Sequence, residues 1–140
     1  EIHSILLNRK SLKSVKAAAD HFQKQQEMVT AYLKNPAAYY VKSASAKKVL
    51  DAAATSGRAT VPMTVEEAIW HELGHSLEKG LKKLPNYDSL RAKHAEWGAK
   101  ISGYASTEFG EYVAESFCAM KKGEKIESEL EAAFKALRRK

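Results

Sequence analysis

The segment His71-Glu72-Leu73-Gly74-His75 has residue types and a spacing that suit metal-dependent hydrolysis. Residues four apart on an α-helix lie about 40° apart around the axis and about 6 Å apart along it, so His71 and His75 can bind one metal ion from a single helical face. Glu72 can reach a water molecule beside that ion and accept its proton. So short a pattern also arises by chance in unrelated chains, and its meaning depends on the elements that position it.

The motif lies within a predicted helix that begins after Thr64 and ends near Gly80. Thr64-Val65-Glu66-Glu67 matches a capping box at its start, and Pro85 prevents its continuation. On a helical wheel the apolar side chains form one stripe and the two histidines lie on the opposite side. The stripe comprises Val65, Ile69, Trp70, Leu73, Leu77 and Leu81. Gly74 lies beside this stripe, and its missing side chain would allow another segment to approach closely.

A second predicted helix, from Thr107 to Lys122, shows the same division. Its large apolar residues cluster on one side, and Glu111 and Glu115 lie one turn apart on the other. Such a helix could supply the third ligand of a metal site that two histidines begin. The alternative is that both glutamates are simply solvated, which is the commoner case for acidic pairs. Glu96 and Glu108 are further candidates for a third ligand. For Glu108, stabilisation of the helix dipole is the preferred interpretation.

The other residues of ligand type lack suitable spacing. Cys118 lies about 10 Å along the helix from Glu111, too far to share one ion, so we predict that it is a small buried side chain. His3, His21 and His94 have no partner at ligand spacing, and we interpret them as residues of the surface or the edge of the core.

The rest of the chain predicts further helices and short strands. Helices are expected at Ser11–Lys34, Asp88–Lys100 and Glu124–Arg139. Residues 37–56 are ambiguous: Tyr39-Tyr40-Val41 could be a short strand and Ala44–Ala54 a helix. Arg58–Val61 reads as a short strand at a sheet edge, because Pro62 follows it. An edge strand at Arg58–Val61 could align a peptide by strand addition.

Composition indicates one ordinary globular domain. The chain has 140 residues, a net charge of +6 and one cysteine, which excludes an intrachain disulfide and fits a reducing compartment. No run is long enough to span a bilayer and no signal peptide is recognisable, so we expect no membrane partner and leave the compartment open. The chain starts at Glu1 rather than Met, as a processed product or an excised domain would.

The net charge is unevenly distributed: it is +6 over residues 1–50, −3 over 51–120 and +3 over 121–140. The basic excess therefore lies outside the segment that carries the candidate site residues.

A second block of residues supports a family resemblance. Tyr104 is followed seven residues later by Glu111 and four residues further by Glu115. Together with the histidine motif, this pattern resembles the lethal-factor-type metallopeptidases, which include the catalytic domain of anthrax lethal factor, the Pro-Pro endopeptidases and domains of phage head-associated proteins. The match covers about Val65 to Ala119. Glu78 and Leu81 replace the glycine and histidine of metzincins, and the thermolysin-type second motif is absent.

The resemblance implies a gluzincin-type zinc endopeptidase and a role for each matched residue. His71, His75 and Glu111 would bind one zinc ion, and Glu72 would act as the general base. Tyr104 would donate a hydrogen bond to the oxyanion. Glu115 would hold a ligating histidine through its other ring nitrogen. The substrate would be a peptide or protein.

The expected fold is α+β and mostly helical, a zincin-like domain in which a small antiparallel or mixed sheet packs on the motif helix and on a second, glutamate-bearing helix. We divide the single domain, residues 1–140, into an N-terminal helix (1–36), a small sheet region (37–63), catalytic helices (64–122) and a C-terminal helix (123–140). One alternative is a catalytically weak or inactive zinc-binding module of a phage particle or larger toxin-like protein. A basic helical domain that binds nucleic acid is a less favoured alternative, since solvated lysine-rich helices explain the charge equally well.

Overall fold

A computed structural model of the chain describes residues 9–35 and 44–138. These residues form α1 (Arg9–Lys34), α2 (Ala44–Ser56), α3 (Val65–Leu81), α4 (Tyr87–Ile101), a 3₁₀ turn (Tyr104–Ser106), α5 (Phe109–Lys121) and α6 (Ser128–Arg138). No strand occurs within them. The expected α+β class with a small sheet is therefore wrong for the described part of the chain, which is all-α.

The segment Arg58–Val61, expected as an edge strand, is an irregular connection between α2 and α3. The amide of Ala59 donates to the side chain of Gln26 at 2.8 Å, and the amide of Val61 donates to Glu115 at 2.9 Å. The Arg58 and Ala59 carbonyls accept from the amides that begin the 3₁₀ turn, at 3.0 and 2.8 Å. Because these backbone groups are already paired, the expected strand addition of a peptide here is also wrong.

The other expected strand, Tyr39-Tyr40-Val41, lies outside the described residues. Ala44–Ala54, expected as a helix, lies within α2. The faces of α3 that the sheet was expected to cover are packed by helices instead. α1 contacts α3 through a small cluster in which Ala19 and Ala68 are buried, α6 packs elsewhere on α3, and α5 makes the most extensive contact with it.

The central element is α5. Every residue from Tyr112 to Ala119 is buried, because α3, α4 and the 3₁₀ turn surround the helix. Small and apolar residues make up most of this run, which is typical of a helix packed on all sides. Glu115 is fully buried, so the alternative in which both glutamates of this helix are simply solvated is wrong for it.

The start of α3 follows its local sequence signals. Thr64 caps the helix by accepting from the amide of Glu67 at 3.1 Å, which confirms the predicted N-cap. The carboxylate of Glu67 accepts from the amide of Met63 at 2.9 Å, one residue before the position that a capping box uses. The helix ends at Leu81, one residue beyond Gly80, where its end was expected.

The main core lies between α3, α4, α5 and α6. Its largest fully buried side chains include Tyr112, Phe134, Leu81 and Leu90, and the rings of Phe117 and Phe134 meet edge to face. α2 packs on α4 and on α1. Within the described segments, no helix has the length and apolar character needed to cross a membrane.

Candidate metal centre

Three side chains from two helices converge at the face that α3 presents to α5. His71 and His75 come from α3, and Glu111 comes from the first turn of α5. Nε2 of His75 lies 3.0 Å from Oε1 of Glu111, and Nε2 of His71 lies 3.5 Å from Oε2 of the same carboxylate. One ligand atom from each residue lies within 4.8 Å of the other two.

The donor set and its spacing fit a zinc ion. Two imidazole nitrogens and one carboxylate oxygen are common zinc ligands, and in a tetrahedral site their donor atoms lie roughly 3.4 Å apart. The two histidine–carboxylate distances, 3.0 and 3.5 Å, run to different oxygens of Glu111, and both lie near that value. Three protein ligands leave a fourth position for water or substrate. This is the one such group of His, Cys, Asp and Glu side chains found among the described residues.

The electrostatics of the centre favour a proton or a metal ion between the two helices. A hydrogen bond to Glu111 raises the pKa of His75, against the opposing effect of burial, and the nearby charges of Glu111, Glu72 and Glu78 raise it further. Burial alone would raise the pKa of Glu111, but its hydrogen bond to His75 and the two imidazoles lower it. The negative charge that favours a proton on His75 would favour a divalent cation at the same place.

Behind His71 lies a fully buried carboxylate, that of Glu115. Its Oε2 lies 2.8 Å from Nδ1 of His71, which itself is only 2% exposed. His71 is buried because α5 covers it, and the polar group that it faces there is this carboxylate. This contact leaves Nε2 of His71 directed toward Glu111 and His75.

Glu72 and Tyr104 lie at the edge of the centre. Glu72 is exposed on α3 and is close enough to His75 to raise its pKa. Tyr104 begins the 3₁₀ turn, and burial together with the charges of Glu111 and Glu115 raises the pKa of its phenol. Its hydroxyl lies 3.5 Å from Nε2 of His21, a residue of α1. All the residues of the expected site therefore lie in one region.

Of the residues that were set aside, His21 lies beside Tyr104 and His3 lies outside the described residues, whereas the others lie away from the centre. Cys118 is completely buried and its thiol donates to the carbonyl of Glu67, as expected of a small core residue; burial raises its pKa. Glu108 is exposed at the N-cap of α5, and Glu96 is exposed and pairs with Lys100. His94 lies at the edge of the core, where its ring stacks on that of Tyr112.

Two residues of this region were missed by sequence reasoning, Thr60 and Ser102. Both are buried and both hydrogen-bond to the carboxylate of Glu115. Thr60 lies 55 residues from Glu115 in the chain, so no local spacing connects them. The only sequence signal was indirect, since a buried carboxylate requires several donors.

Comparison of the chain with models of protein families, with curated proteins and with solved structures finds no match in any of the three.

Proposed function

We propose that this domain is a zinc-dependent peptidase that cleaves a peptide bond with metal-activated water. The observation that carries the proposal is the convergence of His71, His75 and Glu111 from two helices onto one small volume. The buried carboxylate of Glu115 behind His71 supports it, because metal-binding histidines usually donate their second ring N–H to such a group.

Each residue has a distinct part in this proposal. Zinc, held by His71, His75 and Glu111, would supply Lewis acidity that lowers the pKa of water toward ~7 and polarises a carbonyl group. Glu72 accepts the proton of the attacking water and delivers it to the leaving amine. Tyr104 donates its phenolic proton in a hydrogen bond to the carbonyl oxygen as negative charge develops there.

The exposure of the centre favours catalysis over a purely structural metal site. The side chain of His75 is 34% exposed and that of Glu111 is 23% exposed. Glu72 is also exposed. Structural zinc sites are closed by four protein ligands, whereas catalytic sites keep an open position for water. A centre with three ligands and an exposed base belongs to the second type.

The test combines metal content with cleavage of a peptide library. Purified protein should contain about one zinc per chain and cleave peptides from the library, and a chelator should abolish cleavage. Glu72→Gln should retain the metal and lose cleavage by a factor of ~10²–10⁴, because it removes only the base.

Cleavage that persists in chelator, or that survives Glu72→Gln, would refute the proposal. A protein that binds zinc and is stabilised by it, yet cleaves no library peptide, would support the alternative of a non-catalytic zinc-binding module.

A further inference from the structure

The carboxylate of Glu115 is buried at the meeting point of three segments. Its Oε1 accepts from the amide of Val61 at 2.9 Å and from the hydroxyl of Ser102 at 2.6 Å. Its Oε2 accepts from the hydroxyl of Thr60 at 3.0 Å and lies 2.8 Å from Nδ1 of His71. All of these residues are at most 2% exposed, so water does not compete for these hydrogen bonds.

The directions of these hydrogen bonds follow from counting protons. The amide of Val61 can only donate. Ser102 has a single hydroxyl proton, and its oxygen already accepts from the amide of Ala105 at 3.0 Å, so its proton points to Glu115. With Thr60 donating to Oε2, the carboxylate acts as acceptor on every side. An ionised carboxylate can only accept, so beside an ionised Glu115 the donor of the fourth hydrogen bond is Nδ1 of His71.

This arrangement selects one of the two neutral forms of His71. A neutral imidazole has one protonated and one unprotonated nitrogen. Because Nδ1 carries the proton, the lone pair is on Nε2, the atom that faces Glu111 and His75. Only that form can donate to Glu115 and bind a metal ion at the candidate centre at the same time.

Ser102 also connects this carboxylate to the turn that carries Tyr104. Its hydroxyl accepts from Ala105, inside the 3₁₀ turn, while donating to Glu115. The amide of Tyr104 donates to the carbonyl of Ala59 at 2.8 Å, next to Thr60. One buried network therefore relates the position of Tyr104 to the orientation of His71.

We propose that Thr60 and Ser102 are positioning residues of the metal centre. They hold the carboxylate of Glu115 so that it keeps His71 in the Nδ1-protonated form. Ser102 also fixes the position of the 3₁₀ turn that carries Tyr104 relative to that carboxylate. The inference rests on the proposed zinc site. Neither residue contacts the predicted ligand atoms of the metal, so each acts through Glu115.

The first test compares zinc affinity in matched variants by competition with a chelator. Thr60→Val and Ser102→Ala each remove one hydroxyl and should raise the zinc dissociation constant by about 10- to 100-fold, the usual effect of losing an outer partner of a ligand. Thr60→Ser keeps the hydroxyl and should stay close to the wild type. Ser106→Ala is the control, because Ser106 lies in the 3₁₀ turn that follows Ser102 but donates to the carbonyl of Gly103.

The outcomes separate this inference from the proposed function. If the wild-type protein binds no zinc, the proposed site itself fails. If the wild type binds zinc and the folded Thr60→Val and Ser102→Ala variants bind it as tightly as Ser106→Ala, the site stands and the positioning role is refuted. Circular dichroism and melting curves establish that each variant is folded.

A second measurement uses the wild-type protein without metal and does not depend on the folding of any variant. Long-range ¹H–¹⁵N NMR spectra distinguish the two neutral forms of a histidine. Once the ring is neutral, at a pH above which its spectrum no longer changes, His71 should show a protonated Nδ1. A protonated Nε2 with a free Nδ1 would overturn the inference.

Discussion

Gly74 of α3 lies directly against the backbone of Ala114 in α5. A Cβ atom built on Gly74 would lie 2.7 Å from the Cα of Ala114 and 3.0 Å from its carbonyl oxygen. This confirms the expectation that the glycine allows another segment to approach closely. The approach is what brings Glu111, on α5, within reach of the two histidines of α3.

Gly74→Ala should destabilise the protein, because the new methyl group meets backbone atoms that cannot rotate away. We expect a loss of about 1–3 kcal/mol from overpacking, partly offset by the ~1 kcal/mol that alanine gains over glycine in a helix. Gly80→Ala is the control, since its Cβ would meet only the flexible end of Leu137, at 3.2 Å. Urea unfolding curves should show Gly80→Ala near or above wild-type stability, and equal stability of the two variants would contradict the packing described.

The identity of the third ligand is tested by a pair of glutamates on the same helix. Glu111→Gln should weaken the stabilisation by zinc strongly, whereas Glu108→Gln, at the exposed N-cap, should leave it unchanged. Zinc at 100 times its dissociation constant stabilises a native site by about 2.7 kcal/mol, so the melting temperature reports binding directly. A zinc-dependent shift that survives Glu111→Gln and disappears in Glu108→Gln would reverse the assignment.

Tyr104→Phe should lower kcat by about 10²–10³ with little change in zinc affinity, because it removes one hydrogen bond that forms as charge develops on the carbonyl oxygen. Tyr87→Phe is the matched control, since Tyr87 packs edge to face against Phe109 on the other side of α5. Peptidase kinetics measured beside zinc affinity check the prediction. A parallel loss of metal affinity would assign Tyr104 to the structure of the site instead.

Glu124 should make the stability depend on pH in the acidic range. Two hydrogen bonds from the guanidinium of Arg58, at 3.1 and 2.7 Å, lower the pKa of this carboxyl against the opposing effect of burial. The pKa is lower in the folded state, so the stabilisation is complete above the ordinary value of ~4.3 and is lost as pH falls through the folded pKa. The melting temperature of Glu124→Gln should therefore lie below that of the wild type at neutral pH, and the difference should shrink toward strong acid. A difference that does not change with pH would contradict an ionic contribution.

Much of the helical structure was predictable from the sequence because helix signals are local. The capping residue Thr64 and the helical spacing of His71 and His75 act within a few residues, and α3 forms where they predict it. The spacing of Tyr104, Glu111 and Glu115 likewise anticipated residues that the structure places around the two histidines. Glu111 lies near the Nε2 atoms of both imidazoles. Glu115, one helical turn later, lies near Nδ1 of His71.

The wrong predictions of secondary structure concern residues whose backbone hydrogen bonds are made to distant parts of the chain. Arg58–Val61 has the composition of a strand, but its backbone groups pair with Gln26, Glu115 and the 3₁₀ turn instead of with another strand. Secondary-structure patterns describe the neighbours of a residue along the chain and carry no information about such partners. The prediction of a strand at this segment is wrong for this reason.

The sequence by itself determined the chemistry that the chain can offer: two imidazoles on one helical face, a glutamate between them, and further carboxylates one turn apart on a later helix. The tertiary structure alone decided which of those groups are buried and what they touch. Glu115 is enclosed because α5 is covered by α3 and by the loops that carry Thr60 and Ser102. Its partners come from distant parts of the chain, and only the packing of the helices brings them to the same carboxylate.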